Sequence, residues 1–370
     1  MRLRPLPVIA ALIAGLGLLT ALFVTISYVR YGSDAAVRRY IREHSSDVAV
    51  ACFDPALSEG AFFHNADTPF ALASTFKLAL LAGYADQVAD GKLDPSEQIP
   101  LAELDRFYLP ATDGDAHSQF LASLEEGRQT IALDEIVSGM VVYGSNAAAD
   151  YLGARLEATG LAELYRRLGL QGMDMPFSYL GLYLFMTNHE TGEYAEEEIS
   201  LAEVRSEQRR LEQLFTTDPA WRAEEIAYLH DQAHFAPLHI QKDVLGRYGM
   251  SGSARDLAQI LVAAYGYTEA LPADAQQIMR RHLEWPLRAD PATAEQFDVF
   301  ATLTGAWPGT LSAAWYADAA GEPGPLVLVV LYDEMPDDFW NAWLVNFSHQ
   351  VLETKALAAA DCGVFAIALE

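Results

Sequence analysis

Residues 67–78 read Asp67-Thr-Pro-Phe-Ala-Leu-Ala-Ser74-Thr-Phe-Lys77-Leu78. An apolar lead ends in Ser-x-x-Lys and runs into a helical pattern through Leu80, Leu81, Tyr84 and Val88, which Asp90-Gly91 stops. A serine hydroxyl is a poor nucleophile near neutral pH and needs an adjacent base. At a helix start, a lysine three residues on projects from the same face, one turn away. Its amine accepts the serine proton once burial weakens its own hold on a proton. The helix N-terminus adds free N–H groups suited to a developing oxyanion. The plainer alternative is an N-cap serine followed by a solvated lysine. The chain has only four lysines, at 77, 92, 242 and 355, and Lys77 alone has a serine three residues before it.

Outward from this point, Asp47 to Asp54 (DVAVACFD) is apolar and β-branched with polar ends and reads as a strand, with Gly60 to Asn65 as its hairpin partner. A short amphipathic helix precedes it from Ser33 to Glu43. Beyond it, helical patterns cover Asp134–Tyr143, Asn146–Leu156 and Leu161–Leu168, with Gly144-Ser145 as a break between the first two. Residues 172–248 change character. Tyr179 to Met186 is aromatic-rich, and Glu193 to Glu225 is a charged helical stretch whose charge fits a solvated face. A helix capped by Ser251 or Ser253 follows, then one over Ala273–Leu283. Three strands, Phe297–Gly305, Thr310–Asp318 and Leu326–Tyr332, and a helix over Asp337–Leu357 close the chain. The expected fold is α/β: an antiparallel sheet built from both chain ends and flanked by helices, with an all-helical half between.

The net charge of −27 excludes nucleic acid as a partner, which needs clustered Lys and Arg against the phosphates. With 51% hydrophobic and 20% charged residues, the composition is globular. Arg2 and Arg4 precede an apolar run from Pro7 to Val29, long enough to span a bilayer. Residues 1–31 are therefore expected to be an uncleaved membrane anchor or signal, and residues 32–370 a hydrolase domain with an acidic helical insertion at about 172–248. Cys52 and Cys362 lack metal-ligand spacing. Two buried thiols are the expected state, and a disulfide stays open if both lie outside the cytoplasm. The nine histidines form no HExxH-like pairing, so no metal and no cofactor are expected.

The run from Asp67 to Leu78, with Gly91-Lys-Leu after it, resembles the nucleophile region of class A serine β-lactamases and related penicillin-binding proteins. In that superfamily a Ser-Asp-Asn element opens a helix some 60 residues on. Tyr143-Gly144-Ser145-Asn146, followed by AAADYL, stands at that place. A third element, Lys-Thr/Ser-Gly, lies on a late strand, where this chain has Leu303-Thr304-Gly305-Ala306-Trp307. The resemblance covers about residues 35–358, excluding the insertion. It implies Ser74 as nucleophile, Lys77 as base, Ser145 and Asn146 as further catalytic residues, and Thr304, Gly305 and Ala306 as substrate-binding residues. The N–H groups of Ser74 and Ala306 would form the oxyanion hole.

The departures are specific. Gly144 stands where the family's relay serine would be, and Leu303 where its lysine would be. The family's deacylating glutamate has no counterpart. Glu190 is the nearest candidate, and its acidic surroundings read better as solvent-exposed charge. Trp307, Tyr179, Tyr183 and Phe185 are candidates for a groove wall, although aromatics at such spacing are more often core. Arg255 reads as a helix-start residue. The expected function is an extracytoplasmic serine hydrolase forming an acyl-enzyme on a β-lactam, amide or ester. The alternative is a weakly active or inactive module that binds penicillin or cell-wall peptides.

Overall fold

The computed structural model describes residues 28–57, 60–194, 199–321 and 324–369, so the apolar run 7–29 falls outside it except at its last two residues. Among the described residues, no helix is long and apolar enough to cross a membrane.

Five strands form the main sheet: β1 (Val48–Phe53), β2 (Phe62–His64), β3 (Phe297–Trp307), β4 (Thr310–Ala319) and β5 (Pro325–Tyr332). Their order is β2-β1-β5-β4-β3 and every pairing is antiparallel. The N-terminal hairpin thus joins three strands laid down some 240 residues later, as the patterning predicts. Strands β1, β4 and β5 are apolar almost throughout because both sheet faces are covered.

The two-residue period sorts their side chains. Val48, Val50, Cys52, Leu328, Val330 and Trp315 face one core, while Ala49, Ala51, Val327, Val329 and Leu331 face the other. On the first face lie α1 (Asp34–Glu43) and helices α5 (Asp337–Asn346), α6 (Ser348–Ala359) and α7 (Gly363–Leu369). On the second lies the helical half, through α2 (Lys77–Ala89), α3 (Asn146–Arg155) and α4 (Tyr179–Met186).

Three elements differ from expectation. The last helical stretch is broken: Phe347 adopts φ +51°, ending α5 and starting α6. The charged stretch is two helices, Leu201–Thr217 and Pro219–His230, divided where Asp218 caps the second one and Pro219 occupies its first turn. Cys52 and Cys362 form a disulfide in place of two thiols. Strand β1 and the turn between α6 and α7 belong to one apolar layer, which brings their Cα atoms to 5.7 Å.

Candidate active site

Ser74 lies in a tight 3₁₀ turn, Ala73–Phe76, and α2 begins at Lys77. In a 3₁₀ turn, side chains three apart eclipse, so Ser74 and Lys77 share one face. The Ser74 side chain caps no helix. Ala73 just before it holds φ +45°, a left-handed conformation that costs an alanine on the order of 1–3 kcal/mol.

The surroundings hold this turn rigidly. The Leu72 carbonyl accepts from Thr75 N (3.1 Å), Thr75 Oγ1 (2.7 Å) and Ser312 Oγ (2.7 Å) on β4. Leu72 N donates to Met250 O at 3.0 Å. Strand β3 passes so close that a Cβ on Gly305 would sit 2.4 Å from Ser74 N and 2.6 Å from Ser312 Oγ. Only glycine fits there, and it brings the β3 edge alongside the N–H of the serine.

Lys77 is 1% exposed. Its Nζ donates to Gly144 O at 2.6 Å and to Asn146 Oδ1 at 2.9 Å. Gly144, at φ +84°, turns the chain so that its carbonyl reaches the lysine. Burial pushes Lys77 down to about 8, against the opposing pull of Asp150 and Asp113. A neutral amine keeps two N–H donors and one lone pair. The two acceptors match the donors and leave the lone pair unused.

The sequence-predicted residues divide between cleft and framework. Ser74, Lys77, Leu303, Thr304, Gly305 and Ala306 line one cleft of about 300 Å³. Ser145 is fully buried behind it: its Oγ accepts from Ala148 N at 3.1 Å as the α3 cap and lies 2.9 Å from His117 Nδ1. Thus the Gly144 carbonyl and Asn146 reach Lys77, while the Ser145 hydroxyl holds the helix start. Glu190 is bound to Trp221 Nε1 (2.7 Å) and Arg210 (3.0 Å), and it does not line the cleft. Arg255 pairs with Asp67 over the Phe63 ring.

Three acidic or phenolic groups complete the site without having been singled out as chemistry. Asp113 lines the cleft; its Oδ2 accepts from His117 N (3.1 Å) and Asn146 N (3.4 Å), and its Oδ1 is buried without a partner. Asp150 is buried on α3, and its two oxygens accept from Tyr179 N and Leu180 N, each at 2.8 Å, at the start of α4. Burial pushes Asp150 up to about 8, and Glu212 adds to the rise. The i, i+4 spacing from Asn146 to Asp150 on one helix face is the sequence signal for it. Tyr179, flagged as a wall aromatic, sits over Lys77, with Nζ 5.6 Å from its ring centroid, and its phenol neighbours Ser74. Burial raises Tyr179 well above the usual phenol range, so it stays neutral. Trp307 stacks against Tyr179 (6.1 Å, 11°) and meets Tyr183 at 5.0 Å. Phe185 turns away, to Tyr194 and Tyr248.

Solved structures with the same fold are β-lactamases and a penicillin-binding protein. The β-lactamase of Sphaerobacter thermophilus is 16% identical over 88% of this chain and 97% of its own, at a TM-score of 0.53. The chromosome-encoded β-lactamase of Vibrio parahaemolyticus is 11% identical over 85% and 96%, also at 0.53. PBP-A, solved as an acyl-enzyme with penicillin G, is 14% identical over 87% and 96%, at 0.50. No curated protein sequence matches the chain. The sequence-family model of the β-lactamase enzyme family matches residues 33–338, and the chain belongs to that family.

Proposed function

We propose that this protein is a serine acyl-transfer hydrolase acting on a β-lactam, amide or ester carbonyl. The observation that carries the reading is the placement of Lys77. Its Nζ is buried in the cleft that Ser74 opens onto, and it is held by two acceptors that suit a neutral amine. In the proposed step Ser74 Oγ bonds to the carbonyl carbon, and its proton passes to Lys77 Nζ and then to the departing amine or alkoxide. Water then cleaves the acyl-enzyme and restores Ser74. The close approach of β3 to Ser74 N supports an oxyanion hole formed by the N–H groups of Ser74 and Ala306.

A second reading, acylation with little turnover, draws on Tyr179. This neutral phenol neighbours Ser74, and a neutral phenol is a poor base for hydrolytic water. The penicillin G acyl-enzyme of PBP-A is the precedent. We also propose that the domain works outside the cytoplasm, tethered by the apolar run 7–29. The Cys52–Cys362 disulfide supports that compartment.

The test is mass spectrometry after incubation with a fluorescent penicillin and with a fluorophosphonate. Adducts on Ser74 that are absent from Ser74→Ala and decay over minutes mark a hydrolase. Persistent adducts mark the acyl-binding reading, and no adduct with either reagent removes Ser74 as nucleophile.

A further inference from the structure

The cleft in front of Ser74 is poor in positive charge. Among the described residues lining it, Lys77 is the one Lys or Arg. Its N–H groups are already committed to Gly144 O and Asn146 Oδ1. One carboxylate, Asp113, lines the same space with an oxygen that is buried and lacks a hydrogen-bond partner. The remainder of the described wall past Ser74 carries no further Lys, Arg, Asp or Glu. Leu303 on β3, Val142, Trp285, and Leu344 and Phe347 from the α5–α6 junction lie beside the uncharged polar Thr302, Thr304, Tyr143 and Gln350 and the buried His349, with Phe347 52% exposed. The chain as a whole carries −27.

A substrate carboxylate entering this cleft would shed water, find no Lys or Arg among the described lining residues except the already committed Lys77, and face Asp113. It would also favour the charged form of Lys77, removing the base that the reaction needs. An uncharged group meets none of these costs and covers apolar surface on entry.

We propose that the substrate is an uncharged ester or amide with an apolar body beside its scissile carbonyl, and that a carboxylate near the reacting bond is selected against. This rests on the reading of Ser74 as nucleophile. With an aryl ester, the Ser74 Oγ–acyl bond forms as the bond from the acyl carbon to the aryloxide oxygen breaks. The Ser74 proton travels through Lys77 to the aryloxide, and water then releases the acid.

The experiment uses the full chain and two esters of phenylacetylglycine, one with 3-hydroxybenzoic acid and one with its methyl ester. Each kcat/KM is divided by the rate of spontaneous hydrolysis. The uncharged ester is expected to be preferred by about tenfold or more, an effect of the order of one unfavourable charge contact in a partly buried site. Leu303→Lys is expected to move that ratio by a similar factor toward the carboxylate ester. Thr304→Lys, at an exposed position of the same strand, serves if the first variant does not fold. Equal or faster turnover of the carboxylate ester by the unaltered protein overturns the inference. So does turnover of neither ester while fluorophosphonate still marks Ser74. Failure of fluorophosphonate to mark Ser74 instead defeats the underlying reading, and this inference with it.

Discussion

Lys77 and Glu353 lie on opposite faces of the sheet, both all but inaccessible to water. Burial shifts each toward neutrality, Lys77 down to about 8 and Glu353 up to about 7. Glu353 uses both oxygens, accepting from Trp315 Nε1 at 2.9 Å and Tyr332 Oη at 3.2 Å, and it opens onto none of the clefts. Lys77 is partnered only as far as a neutral amine needs, and it borders a cleft shared with a hydroxyl on a strained turn. A buried ionisable group with a displaced pKa is therefore not a reactive site in itself. On the proposed mechanism, the difference lies in spare proton capacity beside a nucleophile.

Crossed substitutions break or sharpen this contrast, and they carry the largest expected effect. Lys77→Ala should slow labelling of Ser74 by the fluorophosphonate roughly a thousandfold while the circular dichroism spectrum stays native. Glu353→Ala should leave labelling within about twofold and cost about 2–4 kcal/mol in urea unfolding, because two buried donors lose their acceptor. If Lys77→Ala is labelled at the original rate, or Glu353→Ala loses labelling while still folded, the division between the faces is wrong.

The disulfide belongs to the Glu353 face and should behave accordingly. Cys52→Ser with Cys362→Ser releases a link between residues 310 apart in sequence, at an expected cost of roughly 2–4 kcal/mol. The acylation rate at room temperature should not change. Paired denaturation and labelling curves, with and without reductant, read both quantities, and a matching loss of labelling in the folded range would tie the two faces together.

What could be read from sequence follows the same division between local and long-range causes. The strands were legible because their apolar runs end in Gly and Pro turns, Ser74 and Lys77 because a short spacing at a helix start pairs them, and Asn146 through the resemblance to the family's second element. The break at Phe347 was not, since no glycine marks its left-handed turn. The disulfide depends on packing between chain ends. Asp113 reaches the cleft from a loop some 36 residues beyond Lys77, and Tyr179 from a segment whose aromatics read equally well as core. Ser145 was placed near the chemistry by its motif, but helix capping claims its hydroxyl.

The smallest expected effect concerns Asp150, which joins the base to the helix above it. On the proposed mechanism acylation needs neutral Lys77, so its rate should climb with pH through about 8, the value to which burial lowers the lysine. Asp150 itself ionises at about 8, and once charged it works against that lowering by favouring the charged amine. Asp150→Asn removes the charge that develops there, so the upper part of the rising limb should move to lower pH. The same change puts an NH₂ where one carboxylate oxygen accepted from the start of α4, so one of the two bonds to Tyr179 N and Leu180 N is lost. Tyr179 is then held less firmly over Ser74, and the plateau rate should fall by less than about tenfold, since one hydrogen bond is at stake. Rates of fluorophosphonate labelling across the neutral to alkaline range separate the two contributions. A lower plateau with an unmoved limb would leave Asp150 a positioning residue alone. A limb displaced to higher pH would mean that the titrating base is not Lys77.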